Sequence, residues 1–324
     1  MKKFLLSMAL VAIAGAGTQA SAQTAPANAI NGKFSVAADK QVYFSQGNLQ
    51  YTQSTATWAF AEHQYDMIGT DNVTGGTVSH DAKDGDEVSG EALADKIDLF
   101  GWSGSTAAVQ WGVGISGNAT DYSGDFVDWG SNTIGTDAPD TWRTLTENEW
   151  EYVLSNRADA DTKKGVARIN LSSDGTMYAN GLILLPDTWT APAGVTFKSG
   201  VASERSVQAY ADYQTFTLSD WQQLESAGAV FLPAAGYRYA KQMYYVHSCA
   251  FYWTSTPDDA NDAKQLGCES DRVGMFLSMR NIGMSVRLVQ EAKSVGTGIA
   301  ETAMTGNVET RKVLRDGQIL IQRG

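Results

Sequence analysis

Short apolar runs closed by turn residues set the rhythm of this chain. They are Val42-Tyr43-Phe44, Leu49-Gln50-Tyr51, Gly181 to Pro186, Ala229 to Pro233, Phe251 to Thr254 and Ser285 to Val289. Runs this short, bounded by Gly, Pro, Ser or Asn, predict strands rather than helices. Gly47-Asn48, between the first two, predicts a hairpin. A helical period shows at two places. In Leu145-Thr146-Glu147-Asn148-Glu149-Trp150, Thr146 can cap, Glu149 can complete a capping box, and Leu145 can staple to Trp150. Trp150, Val153 and Leu154 then make a core-facing stripe that gives out near Asn156. The second helix starts at Ser219-Asp220-Trp221-Gln222, an S-x-x-Q capping pattern led by Ser219, with Trp221 and Leu224 on one face and Gly228 as its stop. Two short helices among many short strands and long loops predict an α+β domain, not a strand-helix alternation.

The ends read differently from the middle. Lys2 and Lys3, an apolar run from Phe4 to Ala16 and the small-x-small series Ala20-Ser21-Ala22 predict a signal peptide over 1–22. The expected location is therefore outside the cytoplasm: periplasm, cell surface or medium. A polar leader, 23–32, precedes the domain, 33–291. Residues 69–135 are rich in Gly, Asp, Ser, Thr and Asn, and Trp102, Trp111, Phe126 and Trp129 are placed to anchor these loops. Small and polar residues over 292–308 predict a linker. Val313-Leu314-Arg315 and Ile319-Leu320-Ile321 flank Asp316-Gly317, which predicts a type I′ hairpin within 309–324.

The formal net charge of −12 over 324 residues argues against nucleic acid or an anionic membrane surface as partner. No run after the leader is long enough for a transmembrane helix. Cys249 and Cys268 are too few for a disulfide scaffold, although export permits one bond.

Several words stand in a fixed order: Trp142-Arg143-Thr144-Leu145-Thr146, Glu149-Trp150-Glu151-Tyr152, Leu232-Pro233-Ala234-Ala235-Gly236-Tyr237-Arg238, Tyr252-Trp253-Thr254-Ser255-Thr256 and Ser285-Val286-Arg287-Leu288-Val289. Together they resemble exported Bacteroidetes and Fibrobacter-type paralogous proteins of the C-type-lectin fold, in the branch that contains the formylglycine-generating enzymes. The resemblance covers roughly 33–291 and implies a C-type-lectin-like frame carrying variable late loops, which some members diversify through retroelements. The tail resembles the start of C-terminal modules on exported Bacteroidetes proteins, which would make it a truncated sorting or anchoring module.

Between those words, residues 239–284 hold Tyr239, Lys241, Met243, Tyr244, Tyr245, His247, Phe251, Asp271, Arg272, Met275, Phe276, Met279 and Arg280. Tyr, Met, Phe and Arg anchor interfaces because they combine apolar area with a polar handle or an adaptable shape. The expected ligand surface is Tyr239, Lys241, Tyr244, Tyr245, His247, Arg272, Met275, Phe276, Met279 and Arg280, and the expected partner is a protein or glycan on a cell surface. For any one of these residues, a place in the core is an equal alternative.

Catalytic signals are thin. The enzymes of the resembled branch need a close cysteine pair that binds copper, whereas Cys249 and Cys268 are 19 positions apart across a framework strand. His63, His80 and His247 form no local ligand motif. Gly112 to Gly117 satisfies G-x-G-x-x-G, but a loop follows where a phosphate-binding helix is required. Glu147, Glu149 and Glu151 are spaced for capping, not for an acid–base pair. No cofactor is called for. Calcium stays open at Asp84, Asp86 and Glu87 and at Asp258, Asp259, Asn261 and Asp262, though neither run has EF-hand spacing. The expected function is non-enzymatic binding, with a formylglycine-generating-type enzyme or a structural subunit of a surface assembly as alternatives.

Overall fold

The computed structural model describes residues 25–68, 96–103, 107–240, 242–292, 310–315 and 318–323. The chain divides into two compact units, residues 1–292 and 293–324. The signal-peptide and linker readings, the 316–317 turn, Lys241, His80 and the acidic run Asp84 to Glu87 lie outside the described residues, in whole or, for the linker, all but Ala292.

The first unit is α+β. It opens with β1 (Ala29–Ala37) and β2 (Lys40–Ser45), an antiparallel pair, followed by β3 (Leu49–Thr52), β4 (Thr57–Phe60) and β5 (Lys96–Ile97), which make a separate sheet. The expected hairpin across Gly47-Asn48 does not form. Both edges of β2 are already occupied, by β1 and by a late strand, so β3 is sent into another sheet. Gly47 makes the crossing, because a Cβ there would stand 2.4 Å from the Ala61 carbonyl oxygen. β1 also starts inside the expected leader.

After β6 (Arg143–Thr144), α1 (Glu147–Glu151) begins with the anticipated capping box: Thr146 Oγ1 accepts from Glu149 N, and Glu149 Oε2 accepts from Thr146 N. Arg143 and Lys40 also grip Glu149. Burial alone would raise that carboxyl's pKa, yet the Arg143, Thr146 and Lys40 hydrogen bonds hold it below the usual range. The helix closes in one wider π-turn through Asn156.

β7 (Lys164–Asn170) and β8 (Tyr178–Leu184) follow, then α2 (Val207–Tyr213), β9 (Thr215–Thr217), α3 (Leu218–Ser226) and β10 (Val230–Pro233). The sheet order is β10-β8-β7-β9. One face of this sheet, with Val166, Leu182, Leu184 and Leu232, packs in a core with Phe34, Phe44 and Trp150; the other, with Ile169, Ile183 and Phe231, packs on Trp221 and Leu224 of α3. Burial on both faces explains why 181–186 reads as an uninterrupted apolar run. α3 is capped by Thr217 with Asp220 rather than by Ser219, and α2, capped by Ser206, was not expected.

The late strands are β11 (Tyr237–Tyr239), β12 (Gln242–Tyr244), β13 (Cys249–Pro257), β14 (Asp262–Glu269), β15 (Arg272–Met279), β16 (Ile282–Gly283) and β17 (Leu288–Glu291). β17 completes the order β1-β2-β17-β6, and β13-β14-β15 form a meander. A second core gathers Trp58, Trp102, Trp129, Trp142 and Trp253, so the loop-anchoring tryptophans Trp102 and Trp129 are buried. Among the described residues no helix is long and apolar enough to cross a membrane. In the second unit, β18 (Thr310–Arg315) and β19 (Gln318–Arg323) pair antiparallel around a two-residue connection.

Candidate functional site

The late strands place the expected surface residues on two different faces. Gly236 (φ 69°) starts the arrangement: a Cβ there would lie 2.1 Å from the Tyr244 carbonyl oxygen, so only glycine lets β12 close on β11. Arg238 is buried beneath the hairpin and donates to the carbonyl oxygens of Leu99 (3.1 Å), Gly114 (3.0 Å) and Ala240 (3.0 Å). The base of the hairpin is thereby fixed to the frame.

On this base an aromatic surface is laid out. Tyr237 stacks on Tyr244 with ring centroids 5.1 Å apart and meets Tyr245 and Phe251, each at 5.8 Å. Tyr239 and Tyr245 are 39% and 38% exposed. The Arg205 guanidinium lies 5.1 Å from the Tyr245 ring and pairs with Glu269 at 3.0 Å; Arg272 takes the other Glu269 oxygen at 2.8 Å and lies 5.1 Å from the Phe276 ring. Phe276 covers Gly267, where a Cβ would come within 2.7 Å of its ring. Tyr244, Tyr237, Tyr245, Arg205, Glu269, Arg272 and Phe276 thus run as one row of contacts.

Strand alternation separates the remaining residues. β15 pairs with β14 without a register break, so Arg272 and Phe276 share one face while Val273, Met275, Leu277 and Met279 share the other. Met275 is packed against the first core, and Met279 is exposed beyond it. Two expected surface residues are instead buried framework. Arg280 lies over the Trp102 ring at 4.1 Å and donates to the carbonyl oxygens of Gly124, Asp259 and Asp262. His247 sits in a tight turn, its N–H bonded to Ala234 O and its carbonyl accepting from Asn180. Met243, also in the late stretch, is fully buried. Tyr237, Arg205 and Glu269 escaped the sequence reading. Tyr237 lies within a framework word, and nothing local to Arg205 places it beside strands that arrive 44 residues later.

Cys249 and Cys268 are free and buried. Cys249 stands opposite Glu269 and Cys268 opposite Ala250, one step out of register, so alternation sends the two side chains to opposite faces. This geometry does not allow the disulfide that export would permit. Burial, first, and then the nearby Cys249 and Glu269 push the Cys268 thiol well above the usual range, against the hydrogen bond from Tyr210. Thiol titration of the native chain is expected to find neither cysteine reactive, and titration in denaturant to find both; no thiol in non-reducing denaturant would overturn this placement.

No family model, curated protein or solved structure matches this chain. The site is therefore argued from its own geometry. Among the described residues no group of three or more His, Cys, Asp or Glu side chains is placed to hold a metal ion. Asp258 pairs with Lys264, and Asp259 Oδ1 accepts from the Asn261 and Asp262 N–H groups, which turns these carboxylates to local loop structure. An open pocket of about 360 Å³ is lined by Lys198, Glu204, Asp212 and Tyr213, among others, and by neither cysteine.

Proposed function

We propose that this chain is an exported, non-enzymatic binding protein of C-type-lectin-like architecture, presenting its late hairpin and the adjoining sheet face to a protein or glycan on a cell surface. One observation carries the reading: the continuous row from Tyr244 through Tyr237 and Tyr245 to Arg272 and Phe276, with Tyr239 and Tyr245 exposed. Rings held by neighbours offer contact area at little cost in side-chain entropy, and both pyranose faces and protein anchors pack on such rings. The backbone supports it. Ala240, Tyr245 and His247, with φ of 47°, 57° and 62°, place three of the eight non-glycine positive-φ residues among those described in the two turns that flank β12. Strained conformations of this kind persist where the surrounding structure holds them, and they gather at ligand sites.

The formylglycine-generating alternative is disfavoured by the two thiols, buried and directed to opposite faces. A screen of the purified chain against a glycan array and immobilised surface extracts should return a partner. Replacing Tyr239 and Tyr245 together by alanine should weaken that binding by at least 30-fold, about 2 kcal/mol. Unchanged affinity in the double variant would remove the aromatic row from the interface.

A further inference from the structure

Among the described residues, no strand pairs with the outer edge of β15. All eight residues Arg272–Met279 pair with β14, from Glu269↔Arg272 to Asp262↔Met279, and β15 ends the sheet order β13-β14-β15. Among the described residues no backbone hydrogen bond reaches the far side of this strand. An edge strand leaves alternate N–H and C=O groups unpaired, and folded chains usually blunt such an edge with Lys, Pro, a bulge or a short strand. β15 uses none of these. From Val273 to Met279 it carries no charge, no proline and no register shift.

The side chains on that edge are equally bare. On the face opposite the aromatic row stand Val273, Met275, Leu277 and Met279, all apolar. Val273 and Met275 pack onto the core, while Leu277 and Met279 are 52% and 49% exposed. Exposed large apolar residues at i and i+2 of an open edge form a stripe that a paired strand would cover.

We propose that β15 is a self-pairing edge: two copies of this chain join antiparallel along Val273–Met279, about a two-fold axis normal to the sheet, into one six-stranded sheet. The choice of a second copy follows from charge. A two-fold axis sets like against like, so a charged edge repels its own copy whereas an uncharged apolar edge is self-complementary. The cations beside this stretch are already engaged: Arg272 by Glu269, Lys264, opposite Leu277 on β14, by Asp258 and Glu147, and Arg280 by loop carbonyl oxygens. Among the described residues a charged peptide would therefore find no unengaged countercharge. With the axis at Phe276, Val273 of one copy faces Met279 of the other and Met275 faces Leu277, so the two apolar stripes become continuous. The pairing rests on the backbone edge: it joins the apolar stripes on one face and sets Phe276, at the end of the aromatic row, beside its own copy on the other, and it does not depend on the ligand-binding reading.

Sedimentation velocity of the full chain, from about 1 to 100 µM, tests the proposal, with Leu277→Lys and Leu277→Glu run beside it. Leu277 is exposed, so both variants should melt with the parent. The parent should move toward twice the monomer mass as concentration rises. Each variant alone should stay monomeric, and an equimolar mixture of the two should associate again, because opposite charges then meet near the axis. A parent that remains monomeric throughout overturns the proposal. So does a dimer that either substitution leaves intact, or a mixture that fails to associate.

Discussion

Replacing Arg287 by alanine should destabilise the first unit by about 3 kcal/mol or more, through lost donors and an unfilled cavity. Arg287 is fully buried and, among the described residues, pairs with no carboxylate; its guanidinium donates to Gln64 Oε1 at 2.6 Å and to Asn48 Oδ1 and Phe231 O at 3.4 Å. These groups bring together the β2–β3 crossing, the loop after β4, and β10. Burial pulls the guanidinium's pKa down to about 10, offset in part by Tyr252 and Glu225, so it stays charged at neutral pH. Arg287→Met keeps most of the volume and isolates the polar part. If denaturant unfolding finds Arg287→Met as stable as the parent, the network contributes packing alone.

The second large effect is expected at Trp150. Its ring is buried, 5.5 Å from Phe44 between ring centroids, in a core with Phe34, Val153 and Leu154. Trp150→Ala should cost about 3 to 5 kcal/mol, the usual range for deleting a buried large aromatic side chain. Equilibrium unfolding checks the value, and a loss under about 1 kcal/mol would mean that the ring is not an anchor. Trp221 and Trp253, each buried in a separate core, extend the test beyond the Trp150 cluster.

The sequence exposed those parts of the fold whose signals are local. The capping box of α1 is written in four consecutive residues, and the doubly buried β8 and β10 show as apolar runs because both of their faces meet a core. The hairpin expected at Gly47-Asn48 failed because turn chemistry does not show that both edges of β2 will be taken by strands from elsewhere. α2 escaped because Ser206-Val207-Gln208-Ala209 offers a cap without an acidic partner, so only half of the usual signature is present.

For the site, residue type was informative and side was not. Arg280 and Arg272 are alike in sequence, yet one donates to three carbonyls under a loop and the other lies on the surface over Phe276. The apolar alternation Val273, Met275, Leu277, Met279 is the one local signal that separates the two faces of β15. Arg205 could not be found that way. Its partners Glu269 and Tyr245 meet it only through the packing of distant loops.

The central claim is that the aromatic row is a binding layer resting on an independent core. Its most direct test is the Tyr239→Ala/Tyr245→Ala variant, with melting and partner binding measured on the same preparation and Trp150→Ala as the folding control. Both tyrosines are exposed, so melting should stay within roughly 0.5 kcal/mol of the parent per site while binding is lost. A double variant that unfolds as readily as Trp150→Ala, or one that melts normally and still binds as the parent does, would contradict the account.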